Sequence, residues 1–546
     1  MQIRRKLVVP MALGLIALAA GGGAYAALSR SSSPTPQSYA RRLLQRPTSR
    51  FMSAPARSAL TMIADGDLRF GAAPVLGGEP DAEPTDQVAE SSTLRVRRAT
   101  AVSIPNNVRV NHSGTDSQLD QTTQSETTIA VDGQHVVVGY NDSQQTLLAL
   151  TAATDLSGYS YSSDGGSTWS DGGTIPNAAA QMNVGDPWLT STPDGTMYYS
   201  TLMLDFRTFS LNVGVARSTD GGANWSTPTQ ASPKPGRGGF YFGDKPAITS
   251  GPAPGGGTAL YDTWDDFSCS RQGCGSGLPV ARSTDGGDTW QVTYAAQSFD
   301  DIGCSFSQYI GAQPLVDPDD GTLYIAAEKI GVNDPKCNGA SLSFSEVLFT
   351  STDGGLTFSS GRRISDVAPA FRHGALKLGT GQLMRTIEFP SLALKDGVLY
   401  VAWNDGRLTG HSHILLADSS DGGGSWNLRF VTQGSGDEVQ PAITADDAGL
   451  HLLYYGRTGS TLDVYEADAT DIDSWTAHRV SSESSPGVPT FPQFDPIIAW
   501  GYMGDYIANV TDGTHSYLAW GDNRDVVTNV LWPQGRNDPN VYFAKG

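Results

Sequence analysis

From about residue 125 to its end, the chain is divided into short runs rich in β-forming residues, separated by turns of Gly, Asp and Asn. Runs of that length bounded by turn residues predict strands. They recur in a fixed order: an acidic or polar entry, a first run, a Gly turn and a returning second run. Two copies are SETTIAVDGQHVVVGYND (125–142) and GDPWLTSTPDGTMYYSTL (185–202). Others fall at 243–264, 312–328, 389–407, 440–457 and 504–524, which makes seven. A third run then leads into an eight-residue element: SSDGGSTW (162–169), STDGGANW (218–225), STDGGDTW (283–290), STDGGLTF (351–358) and SSDGGGSW (419–426). Its aspartates, Asp164, Asp220, Asp285, Asp353 and Asp421, stand 56 to 68 residues apart. In the sixth unit Trp475 survives although the rest of the element has decayed. The seventh unit ends at NDPNVYFAKG, without the element and one strand short.

Strand, strand, strand, turn, strand is a four-stranded antiparallel blade, and repeats of this period predict an all-β propeller. The repeat count gives seven blades, with six as the alternative. The strand missing from the last blade is expected upstream of Ser125, within about Thr100–Val110, so that the two ends of the chain close the ring and remove its open edges. The eight-residue element reads as a structural turn. Its Asp accepts from turn N–H groups, its Gly pair permits positive φ, and its Trp or Phe buries a ring between strands.

The 63 Gly, 31 Pro and 17% charged residues suit a turn-rich sheet protein. Arg4, Arg5 and Lys6, the apolar run Leu7–Ala20 and the small residues of Ala24-Tyr25-Ala26 read as an export signal over 1–26. That run is short for a membrane span, so a secreted or periplasmic mature chain without a transmembrane segment is expected. Residues 27–105 read as a low-complexity stalk or pro-segment, with a short helix near Ser58–Ala64 and no catalytic role; the propeller occupies 106–546. In an exported chain the four cysteines suggest two disulfides, Cys269–Cys274 and Cys304–Cys337 on the local pairing. Net charge is −20, and the body carries the negative share, which disfavours nucleic acid as a partner. A monomer is expected.

Four alternating strands place every first-strand entry and second-strand exit at one mouth of the central channel. That mouth collects the candidate catalytic acids Glu126, Asp142, Asp186, Asp244, Glu438 and Asp505, with Glu388 among the other entries. Arg207, Arg407, Arg457 and Arg524 are candidate substrate-binding cations. Asp405/Arg407 and Asp522/Arg524 read equally well as structural clasps. The acidic ring could cap neighbouring loops or hold Ca²⁺ through oxygen ligands, although no cofactor is required. His411 and His413 are candidate metal ligands, with surface histidines as the plainer reading.

The S-x-D-x-G-x-x-W turns on a propeller resemble the sialidase superfamily of BNR or Asp-box proteins, over roughly residues 121–546. The resemblance implies three arginines for a sugar carboxylate, a Tyr–Glu nucleophile and an Asp acid/base in the first blade. Tyr506, or Tyr455 near Glu438, is the candidate tyrosine. The sequence departs from the pattern where an R-I-P motif belongs: it has SETTIAV, with Glu126 in place of a cation. That departure counts against sialic acid. The expected function is a glycan-directed protein, a glycoside hydrolase of exo-α-sialidase-like type if it is an enzyme. The alternative is a non-catalytic binding or assembly propeller for a protein partner.

Overall fold

The computed structural model describes residues 35–46, 49, 52–65, 97–98, 106–112, 123–143, 155–234, 239–270, 273–299, 305–333, 341–377, 383–487, 503–528 and 533–546. The export signal and Cys304–Cys337 lie outside the described residues. Seven sheets of four main antiparallel strands follow one another as blades, as the repeat count predicts. The innermost strands of blades 1, 3, 4 and 6 are Gln124–Asp132, Gly243–Pro252, Ser305–Val316 and Asp437–Ala445. Blade 2 has a divided inner strand, Gln181–Asn183 and Trp188–Ser191, while blades 5 and 7 begin with Ser391–Lys395 and Ala508–Thr511.

The ring closes between the chain's two ends. Val108–Arg109 pairs antiparallel with Arg536–Lys545 as the outer strand of blade 7, Val108 facing Phe543 and Arg109 facing Tyr542. Val110 is buried beside it, and the Asn111 side chain accepts from the Val541 N–H at 2.9 Å. A chain beginning at residue 113 should therefore be less stable than one beginning at 106. The expected loss is about 3 kcal/mol, from one buried valine and the outer-strand pairing. Denaturant melts of the two chains check it; equal midpoints would remove this joint from the account of stability.

The eight-residue turns are built alike. Asp164 Oδ1 accepts from the Thr168 N–H at 2.8 Å and the Ser162 hydroxyl at 2.7 Å, while Gly165 and Gly166 hold φ of 70° and 89°. The Trp169, Trp225 and Trp290 ring N–H groups each donate to a glycine carbonyl of their own turn. Trp475 makes the equivalent bond, to Ile472 O at 2.9 Å. Cys269–Cys274 is a disulfide.

A second device is invisible in the strand pattern. Near the hub, the inner strands of blades 1, 3, 4 and 6 slip register at Ser125/Thr128, Asp244/Ala247, Ile310/Gln313 and Val439/Ala442. Each slip contains one left-handed residue: Glu126, Lys245, Gly311 or Gln440, at φ of 49° to 61°. Asp186, at 52°, occupies the gap in blade 2's inner strand. Such a bulge turns an unpaired residue out of the ladder, at a cost of order 1 kcal/mol for each non-glycine. The preceding blade helps hold it. Asn141 accepts from the Asp186 N–H at 2.7 Å, Asp265 from Gly311 at 3.2 Å and Asn404 from Gln440 at 3.3 Å.

Within residues 27–105, read as a stalk or pro-segment, the described residues include two helices, α1 (Pro36–Leu44) and α2 (Ala54–Asp65). Their Tyr39, Leu43, Leu60 and Ile63 are buried in the largest apolar cluster, which also holds Phe240 and Phe242 of blade 3. The short helix expected at Ser58–Ala64 lies inside α2.

Candidate functional site

The bulges deliver charged side chains to the hub. Lys245, 3% exposed, contacts the Asp505 carboxylate and lies 3.8 Å from Glu126 Oε1. Arg385, from a two-stranded ribbon (Ala375–Lys377 with Leu383–Arg385), grips Asp505 with two nitrogens, at 2.5 and 2.9 Å. Burial opposes the charge on Asp505, but Arg385 and Lys245 outweigh it and hold its carboxyl down at about 2. Burial likewise opposes the Lys245 ammonium, yet Asp505, Glu126, Asp186 and Asp244 keep it protonated.

Asp186 behaves oppositely. Burial, then the charges of Glu126 and Asp244, push its carboxyl well up, and a carboxyl–carboxyl contact with Glu126 adds to the effect. Two adjoining carboxyls in a dry site share one proton, because both cannot ionise. Asn141 fixes the geometry by donating to Glu126 Oε2 at 2.9 Å and accepting from the Asp186 backbone. Acids with opposite proton affinities thus meet at one hub. Trp188 and Tyr506 pack with ring centroids 5.2 Å apart, and together with Phe389, Pro246 and Pro441 they wall a cavity there. The Tyr506 hydroxyl donates to Pro187 O, and burial with the Glu126, Asp186 and Asp505 charges raises its pKa.

The N-terminal segment covers this cluster. The Ser53 N–H donates to Asp244 Oδ2 at 2.8 Å, and the Ser53 hydroxyl caps α2 by accepting from Ala56. The positive end of α2 therefore faces a buried carboxylate. Arg46 donates to the Cys274 carbonyl, and Arg57 lies close enough to Arg385 for their charges to repel.

Of the six acids nominated from sequence, the structure gathers Glu126, Asp186, Asp244 and Asp505. Asp142 accepts from Gln124, and Glu438 bonds His413 at 2.6 Å; neither joins the group. Tyr455 is also elsewhere, donating to Gly521 O. The nominated arginines do not converge. Arg407 clasps Asp405, Arg524 clasps Asp522 and Arg457 pairs with Asp437, while Arg207 is exposed. His413 is buried and His411 half-exposed against Asp437, so the two histidines face different carboxylates. Lys245, Arg385 and Gln440 went unnoticed in the sequence. The signal for two of them was a proline after a polar entry, Lys245-Pro246 and Gln440-Pro441, as in Asp186-Pro187.

No protein-family model and no curated protein matches the chain. Among solved structures it is similar to a polysaccharide lyase of family PL25, an ulvan lyase, with 10% identity and a TM-score of 0.48, covering 78% of this chain and 95% of that one. It is similar to the α-L-arabinanase of Penicillium chrysogenum at 14% identity and 0.40, over 65% and 92%. It is also similar to the Hadza microbial sialidase Hz136, at 16% and 0.37, over 68% of each chain.

Proposed function

We propose that this chain is a carbohydrate-active propeller that cleaves a glycosidic bond at its hub. Asp186 serves as general acid, Glu126 as the carboxylate that shares and restores its proton, and Asp244 as acceptor for a sugar hydroxyl. The observation that carries this reading is the adjoining Glu126–Asp186 pair, buried behind Lys245, which lines the cavity together with Asp505 and is already engaged by it. Burial and the neighbouring charges favour the protonated form of Asp186, and a carboxyl held in that form can serve as the general acid of glycoside cleavage. The Trp188, Tyr506 and Phe389 wall offers ring faces on which a sugar can stack. An anionic sugar is disfavoured, since Lys245 and Arg385 would have to leave Asp505 to meet it.

One observation favours a second reading, a binding propeller: Asp244 already accepts from the polypeptide at Ser53, as it would from a bound segment. A panel of neutral aryl glycosides and oligosaccharides, assayed with the whole chain and with Asp186→Asn, separates the two. Hydrolysis that falls at least a hundredfold in Asp186→Asn is expected for the enzyme. Glycan or peptide binding without turnover, unaltered by the substitution, supports the binding reading.

A further inference from the structure

Blade 4 holds a second polar cluster, beside the hub but separate from the Glu126–Asp186 pair. Glu328 and Glu346 are direct cross-strand partners on neighbouring strands, Leu323–Asn333 and Ser341–Ser351, and both are wholly buried. Glu388, at the entry of blade 5, and His373, from the segment joining the two blades, complete the group. The His373 Nε2 contacts Glu328 Oε1 and lies 3.3 Å from Glu388 Oε2; one ligand atom from each of these three falls within 4.8 Å of the others.

Two features set this cluster apart from an ordinary ion pair. First, both Glu346 carboxylate oxygens and Glu328 Oε2 lack any hydrogen-bond partner among the described residues, although Glu328 and Glu388 lie close enough to repel Glu346. Buried carboxyl oxygens without a partner are costly, and one imidazole cannot reach all of them. Second, the ligand side chains are held in place. The Phe344 ring stacks on His373 at 3.6 Å, and the Gly374 N–H donates to Glu388 Oε2 at 3.0 Å. Outer contacts of this kind orient the residues that bind a metal.

We propose that Glu328, His373 and Glu388, with the unpartnered Glu346 carboxyl beside them, bind a divalent transition-metal cation that staples blade 4 to blade 5. An imidazole among carboxylates suits zinc, whereas calcium takes oxygen ligands. All four side chains are buried away from solvent, which suits a structural ion between the blades.

The test uses the whole chain, stripped with EDTA and then given zinc chloride or calcium chloride. The expected result is one zinc per chain after gel filtration and a Tm higher by about 5 °C, with calcium giving no rise. Glu346→Gln and His373→Gln should each weaken zinc binding tenfold to a hundredfold. A half-buried group elsewhere, His451, Glu466 and Asp468, serves as the control. His451→Gln should retain the zinc. Absence of bound zinc in the unaltered chain, a calcium-specific rise, or zinc lost with His451→Gln but kept in His373→Gln would each overturn the proposal. Should His373→Gln fail to fold, zinc stoichiometry in the unaltered chain and in His451→Gln still decides.

Discussion

Asp505→Asn is expected to cost the fold about 3–5 kcal/mol at neutral pH, whereas Asp186→Asn, at the same hub, should cost less than 1 kcal/mol. The difference follows from charge. Asp505 is ionised and lies against two buried cations, Lys245 and Arg385. An amide in its place leaves both charges uncompensated away from water, the situation that makes breaking a buried pair so destabilising. Burial and the Glu126 and Asp244 charges favour the protonated, neutral form of Asp186, which asparagine matches in charge and shape. A carboxyl whose folded pKa is depressed to about 2 stabilises fully above its unfolded value near 3.8 and loses that contribution as pH falls toward 2. The unaltered chain should therefore converge on the stability of Asp505→Asn on acidification. Urea melts of the three chains at pH 7 and pH 3 measure this. Equal losses at pH 7 would mean that Glu126, Asp244 and Asp265 neutralise the cations without Asp505.

Removing residues 27–65 is expected to open the hub. The hairpin of α1 and α2 contributes buried Tyr39, Leu43, Met52, Leu60 and Ile63, so its loss exposes their apolar contacts and should lower stability by several kcal/mol. It also frees Asp244 from the Ser53 N–H and takes away the helix end that faces it. Carbodiimide coupling of an amine to carboxyls, read by peptide mapping, should label Asp244 at least tenfold faster in the shortened chain. Hydrolysis or ligand binding by the hub should rise in parallel. Unchanged labelling of Asp244 would show that the hairpin is a brace and not a cover. If labelling rises while turnover does not, the binding reading gains at the expense of the enzyme.

The fold was legible because its signals repeat. Five copies of one turn and seven of one strand pair give the blade count, and the short last blade points to the strand at Val108–Arg109. The hub was legible only in part, because its geometry depends on backbone that breaks the strand pattern. A left-handed residue within a strand looks like any other strand residue in sequence, so Lys245, one position after the nominated Asp244, passed unseen although it joins Glu126, Asp186 and Asp505. Arg385 reaches Asp505 across 120 residues of chain, and nothing local marks it. The outward diversions have equally plain causes. Each clasped arginine finds a carboxylate in its own blade, and Glu438 finds His413 first. The N-terminal helices were obscured by the Ser-, Pro- and Arg-rich composition around them; their apolar positions gain meaning only against Phe240 and its neighbours.

The joint between the two ends sets an order of events during synthesis. Asn111 meets Val541 across 430 residues, so the first strand of the ring must wait for the last. At about 5–20 residues per second that wait is roughly 20 to 90 seconds. Throughout it the edge of the final blade does not yet exist, and the blade 1 end of the sheet stack has no neighbour to cover it. Whatever shields Val110 and the inner face of blade 1 in the interval decides how much of the protein matures and how much aggregates.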